Sequence, residues 1–363
     1  MKIAVVIDTW FPFVGGGQKN AWEISKIIAS YGHGVDIITR NNGKTNITKS
    51  KNLKVYQLGK STKIGDTIAQ IKFCFQAMLF IMKNDYDVVH AHAFWPGFTL
   101  LATKIFKRIP TVFTVHGTSI NSNLKGIIPK IIEAILLTKI PYTYEITVSR
   151  DILEIPNVNK NISYIPNAVD FKEFEKIRGQ KKNKLQILFV GRLHPQKNVL
   201  KLIEAFNKVK KEKIYPKLVI AGNGPQKNEI MDKLKKLNLQ KDVKILGEIK
   251  GTDLINLYKS STLFILPSLY EGQPLSLLEA FASKLPPIVS AVGDNPYLVK
   301  NGVNGFIIRN PNNVDDIKSA IINALNSKKL DKMADYNYNF VKNNFSWQKS
   351  ANLTIDVYKK IYF

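Results

Sequence analysis

The chain has a single cysteine, Cys74, no run of eighteen apolar residues, and few carboxylates, with 28 Asp and Glu against 53 Lys and Arg. One cysteine excludes a disulfide framework, and its setting in FCFQAMLF points to core filling in a reducing compartment. Without a long apolar run no membrane span is expected. The start, MKIAVVIDTWF, carries one lysine and no small-residue cleavage site, so no secretory signal is expected either, and a cytoplasmic location follows. The shortage of acid leaves a net charge of +25. Such a field favours polyanions, namely nucleic acid, an anionic membrane surface or a phosphorylated substrate. Lysine scattered among Asn and Ile fits coding bias equally well.

What is present is a repeated alternation of short apolar runs and helical patterns. MKIAVVID, GVDIIT, DVVHAHA and TVFTVHG read as strands, separated by AWEISKIIASYG, TIAQIKFCFQAMLFIMK and GFTLLATKIFK as helices, with 41–63 polar between them. LQILFVG, KLVIAG, VKILG, LFILPS and PPIVSA repeat the pattern in the second half. Strands alternating with helices argue for parallel sheets, and 363 residues exceed what one core accommodates. The expectation is α/β with two doubly wound, Rossmann-like domains, the first over 1–172, a charged linker at 173–184, and the second over 185–345.

In open parallel sheets ligands bind beyond the carboxyl ends of strands, so motifs there carry the most weight. Gly15, Gly16 and Gly17 follow the first strand and open a helix expected from about Asn20, where free amides can meet an anion. Lys19 and Asn20 stand where GxGxxG needs its third glycine, which disfavours a nicotinamide or flavin fingerprint. His90 and His92 face one way on a strand, with no nearby Cys or carboxylate to complete a metal site. Asp85 and Asp87 sit at the wrong end of that strand. His116 ends TVFTVHG at the carboxyl end; a functional role and a satisfied structural histidine are both open. Arg192 and Lys197 in GRLHPQKN can clamp a diphosphate, with a solvated loop as the alternative. In YEGQPLSLLEAFA, Glu271 and Glu279 are eight positions apart; on one helix that is about 12 Å along the axis, too far for a carboxylate pair acting on one bond. Pro274 fits a first helical position, which leaves Glu271 in a loop, Glu279 on the second turn, and the amides of Leu275 and Ser276 free between them.

GGG, TVHG, IPNAVD, FVGRLHPQKN, AGNGP and YEGQPLSLLEAFA, in this order, resemble the retaining nucleotide-sugar glycosyltransferases of family 4. The resemblance covers essentially the whole chain and implies a GT-B fold, two Rossmann-like domains facing a central cleft. It also implies that the helix at 346–363 crosses back to the first domain. By it, Glu271 lies by the donor sugar, Glu279 binds the ribose, and Arg192 and Lys197 hold the diphosphate with Gly15 and Gly16. His116 serves the sugar and acceptor, and the base lies near Gly222 and the segment containing Glu248 and Ile249. Departures from the common pattern are Gln18 for a glutamate, Asn198 for a glycine, and Asp294 and Tyr297 in the 292–299 loop. Asn198 suits such a turn because Asn also accepts left-handed geometry.

The implied function is transfer of a hexosyl unit from a nucleotide diphosphate sugar to a lipid-linked or polysaccharide acceptor. The configuration is retained, the donor is a UDP-sugar, and neither cofactor nor metal takes part. GDP-mannose as donor, and a non-catalytic nucleotide-sugar-binding protein, are the alternatives. Nucleic acid is not an expected partner, because that reading leaves the cations and carboxylates at strand ends unexplained. The basic and apolar segment 123–142, together with the charge, suggests peripheral work at an anionic membrane surface. An amphipathic helix packed on its own sheet accounts for the segment equally well.

Overall fold

The structure, a computed structural model, describes all residues except 12–14, 44–50, 64–65, 121–126, 178–184 and 213; for 127–129 only the backbone is described. Parts of the 173–184 and 123–142 segments therefore lie outside the described residues. The chain forms two compact units, Met1–Ala168 with Trp347–Phe363, and Val169–Ser346.

The first unit runs β1 (Lys2–Ile7), α1 (Gly16–Ser30), β2 (Gly34–Arg40), β3 (Leu53–Leu58), α2 (Thr67–Met82), β4 (Val88–His92), α3 (Phe94–Lys107), β5 (Thr111–Val115), α4 (Ile127–Thr138), β6 (Tyr144–Thr147) and β7 (Ile162–Tyr164). Its sheet is parallel, in the order β3-β2-β1-β4-β5-β6-β7. The order reverses direction between β1 and β4, which opens a crevice at their carboxyl ends. β4 and β5 are buried along their whole length, as strands covered on both faces must be. Phe73, Ala77 and Ile81 of α2 close the core against Val6, Val89 and Phe113 of the sheet.

The second unit runs α5 (Phe171–Lys176), β8 (Gln186–Val190), α6 (Val199–Lys211), β9 (Lys217–Ala221), α7 (Lys227–Lys236), β10 (Val243–Gly247), α8 (Gly251–Ser260), β11 (Leu263–Leu266), α9 (Leu275–Ala282), β12 (Pro287–Ser290), α10 (Asn295–Leu298), β13 (Phe306–Ile308), α11 (Val314–Leu325) and α12 (Leu330–Asn344). Its parallel sheet has the order β10-β9-β8-β11-β12-β13, with the reversal between β8 and β11. The closing helix α13 (Trp347–Tyr362) belongs to the first unit, where it lies against α1. Ser350 Oγ donates to Pro166 O at 2.8 Å and Tyr31 OH to Asn352 Oδ1 at 2.8 Å.

Several expectations need correction. Helix α1 starts at Gly16 rather than near Asn20, because Gln18 reaches back to accept from Gly15 N at 3.0 Å and caps the first turn. The polar stretch 41–63 contains β3, an edge strand whose buried Leu53 and Val55 alternate with exposed Lys54. β6, β7 and β13 are three- or four-residue strands that no periodicity reveals. The chain passes between units at Ala168 and Val169. The start of the charged 173–184 segment is helical, because Phe174 is buried in the second unit's core.

Candidate active site

In the second unit two loops leave the sheet where its order reverses. The loop after β8 carries exposed Arg192, then a tight turn over Pro195–Lys197. Asn198 ends the turn at φ 57° and ψ 34°, the left-handed geometry expected of it, and its amide donates to Pro267 O at 3.3 Å and Pro311 O at 2.6 Å. The loop after β11 lies alongside, held by Leu269 N donating to Gln196 O at 2.8 Å and Gln196 Nε2 to Tyr270 O at 2.9 Å. This stitching brings the Lys197 ammonium onto the carboxylate of Glu271, with side-chain exposures of only 16% and 6%. A charge pair so withdrawn from water is held by desolvated attraction, and each partner depends on the other.

Glu271 lies in the loop and Glu279 on α9, but Pro274 is the residue before the helix rather than its first. Its ψ of 123° is extended, so the turn into α9 begins at Leu275. Leu275 and Ser276 then occupy the first turn, whose N–H groups have no intrahelical partner. Glu279 accepts from the buried Tyr258 hydroxyl at 3.1 Å. Burial, then the Glu279 charge, hold that phenol above its ordinary pKa, so it stays a donor.

Two features here have no counterpart in the motif reading. Gln273 Nε2 donates to Asp294 at 2.6 Å, and Asp294 N to Gly272 O at 2.9 Å, so the departing residue Asp294 braces the Glu271 loop. Gly293, at φ 56°, could take no side chain, since a Cβ would stand 2.5 Å from Glu271 O. Gly222 has a packing reason of its own: a Cβ there would sit 1.9 Å from Gly191 O, and Gly222 N donates to Gly247 O at 2.6 Å. Glu248 is exposed and pairs with Lys250 at 2.8 Å, a surface pair of little energetic weight, and Ile249 is half-buried.

In the first unit the glycine loop and His116 come together. Gly17, in the first turn of α1, would put a Cβ 3.2 Å from the His116 ring, so glycine is what allows this approach. Gly15 precedes the helix and Gly16 opens it. Gln18, in place of the common glutamate, donates to Thr9 Oγ1. Three histidines then stack. The His90 and His92 rings lie 4.3 Å apart, those of His92 and His116 5.2 Å apart, and His92 Nδ1 shares a proton with His116 Nε2 over 3.0 Å. His90 bonds to Tyr358 OH at 2.5 Å and Thr114 Oγ1 at 2.6 Å. Burial first, then neighbouring rings, lowers His90 to about 3 and His92 well below its ordinary value; burial alone lowers His116 to about 4. All three are therefore neutral at pH 7. The pairing of His92 with His116 was readable only once β4 and β5 are known to be neighbours.

Of these residues Gly17, Gln18 and His116 border a cavity of about 540 Å³ that Thr9, Trp95 and Glu133 also line. The Glu133 carboxylate is buried and turned onto Ser119 N at 2.8 Å and the hydroxyls of Ser119 and Thr118. Among the described residues no group of three or more His, Cys, Asp or Glu is placed to hold a metal ion.

The family profile described as Glycosyltransferase Family 4 matches residues 14–173, and that described as Glycosyl transferases group 1 matches residues 170–340. The chain is 31% identical to an uncharacterised glycosyltransferase of Methanocaldococcus jannaschii, over 99% of this chain and 98% of that protein. It is 28% identical to the Escherichia coli UDP-Gal:alpha-D-GlcNAc-diphosphoundecaprenol alpha-1,3-galactosyltransferase, over 98% and 97%. A sucrose-phosphate synthase structure from Thermosynechococcus elongatus superposes with a TM-score of 0.86 at 20% identity, over 99% of each chain.

Proposed function

Because this chain belongs to the glycosyltransferases that join a family 4 amino-terminal domain to a group 1 carboxyl-terminal domain, we propose that it moves a hexosyl unit from a UDP-sugar to a lipid-linked or polysaccharide acceptor. The observation that carries the reading is the buried pairing of Lys197 with Glu271 beside the start of α9. Departure of the nucleotide builds negative charge on the diphosphate. Arg192, Lys197 and the amides of Leu275 and Ser276 oppose that charge most when the bond is broken, which is what lowers a barrier rather than merely tightening binding. Glu271 faces the sugar, Glu279 takes the ribose hydroxyls, and the base lies toward Gly222, Glu248 and Ile249. In the first unit Gly15 and Gly16 serve the phosphates and His116 the sugar and acceptor. A UDP donor and a lipid-diphosphate acceptor are named in the description of the Escherichia coli relative, and both suit this reading. The basic charge of +25 favours work at an anionic membrane surface.

The donor is tested by thermal shift against a panel of nucleotide sugars. A UDP-hexose is expected to raise the melting temperature most, and a larger shift with GDP-mannose would replace the donor assigned here. Cations of the protein take the place of a metal, and the leaving phosphate helps deprotonate the acceptor on the same face of the sugar. With the donor so identified, transfer should proceed in the presence of a chelator and give a product of retained anomeric configuration by proton NMR. Activity abolished by chelator and restored by Mg²⁺ or Mn²⁺, or an inverted product, would contradict the mechanism.

A further inference from the structure

Helix α2 is apolar over most of its surface, Lys72 and Gln76 being its exposed polar side chains beyond the first residue. Ala69, Phe73, Ala77 and Ile81 are buried, while Ile68, Ile71, Phe75 and Leu79 are exposed, Phe75 to 61% and Ile68 to 67%. A helix so largely apolar is normally covered on more than one side. Helix α3 packs beside it, with Cys74 Sγ donating to Trp95 O at 3.2 Å, and repeats the pattern. Its exposed side chains are Phe98, Leu101, Ile105 and Phe106, the last at 71%. Helix α4, on the other side of α3, exposes Ile131 and Ile135. Within these three helices the only acidic residue is Glu133, which is buried, whereas Lys72, Lys104, Lys107 and Lys130 are present. At the amino end of α2 a cavity of about 500 Å³ is lined by Ile68, Lys72 and Gln76 together with Arg40, Lys60 and Thr62. Asp66 also borders it, with its carboxylate engaged by Ala69 N at 3.0 Å.

We propose that the outer face of α2 and α3 docks on an anionic bilayer, the apolar side chains entering the acyl boundary and the Lys60–Lys72 cavity receiving a phospholipid headgroup. Charge decides between occupants of an apolar face. A second copy of a chain carrying +25 would bring like charge to a face already basic, whereas anionic lipid brings the opposite charge and an apolar phase together. No helix among the described residues is long and apolar enough to cross a membrane, so the contact is with the surface. Phe98 borders both this face and the cavity next to His116, so a lipid-held acceptor would approach that cavity from the bilayer side. This takes up the membrane part of the function proposed above and needs neither its donor nor its acceptor.

The test is co-pelleting of the full chain with phosphatidylcholine vesicles and with phosphatidylcholine–phosphatidylglycerol vesicles, at low and moderate salt. Binding is expected only to the mixed vesicles and should weaken with salt. Phe75→Ser/Phe106→Ser should lower it by about tenfold or more, and Lys60→Gln/Lys72→Gln by about thirtyfold, both with an unchanged melting temperature since these side chains do not build the core. Absence of pelleting by the unaltered chain removes the membrane reading as a whole. Pelleting that both variants keep removes this face alone. A dimer in sedimentation velocity that Phe75→Ser/Phe106→Ser dissociates assigns the face to a second copy and also overturns the proposal.

Discussion

Lys197→Met is expected to lower turnover of the donor by about a thousandfold and, by itself, to lower stability by about 3–5 kcal/mol. The second effect follows from the partner left behind. Glu271 is 6% exposed, and without the ammonium its carboxylate stays buried and unpaired. The first follows from the leaving group, since a cation placed where charge develops in the transition state is worth a factor of about 10² to 10³. The two effects separate in Lys197→Met/Glu271→Gln. Removing both charges abolishes the unpaired carboxylate, so most of the stability should return, while turnover stays low. Urea unfolding and single-turnover transfer measure the two quantities independently. If the double variant regained turnover to within tenfold of the parent, the pair would be a structural tie between loops and not part of the donor site.

Stability should also fall steeply in mild acid, and the sign can be worked out group by group. His90, His92 and His116 have folded pKa values depressed below the ordinary 6.5. Their contribution is complete above pH 6.5 and is lost as pH drops toward the folded values of about 4 for His116 and about 3 for His90, because the unfolded chain takes up protons that the folded stack refuses. Glu145 acts in the opposite sense. It is fully buried, and burial, opposed in part by the Asn159 side chain, raises it from 4.5 to about 8. Its protonated form favours the folded state as pH falls through that window. Three protons against one leave a net slope on the order of 3 kcal/mol per pH unit near pH 5. Glu145→Gln removes the opposing contribution, so it should stabilise the protein at pH 8 and steepen the acid slope toward about 4 kcal/mol per unit. Carboxylates with lowered values, such as Asp242, act lower still, below about pH 4, and leave this window to the histidines. Denaturant unfolding across pH 5 to 8 checks both statements. A stability flat from pH 7 to pH 5 would mean that the stack is not held neutral.

The fold was legible because its strongest strands are also its most central. LQILFVG, KLVIAG and TVFTVHG are apolar runs buried on both faces, and apolar runs are what a sequence displays. β3 and β13 lie at sheet edges and β7 is three residues long, so burial imposes little pattern on them. The site divides in the same way. Arg192, Lys197 and Glu271 stand out because they follow strand ends, and the loop position of Glu271 and the helix position of Glu279 follow from Pro274. The supporting contacts do not stand out, since Gln273 meets Asp294 and Tyr258 meets Glu279 only after distant segments are folded together. Gly222 shows the opposite case, a glycine conspicuous in sequence whose close neighbour, Gly191 O, supplies a reason for it that involves no ligand.

Because α13 belongs to the first unit, the second unit is an insertion within the first, its two ends tied by Val169 N donating to Phe345 O at 3.3 Å. On the ribosome, the segment that supplies Tyr358 to His90 emerges after the whole of the second unit. The first unit is therefore completed by a segment made after the second, and until then the α1 surface that meets α13 lacks its cover.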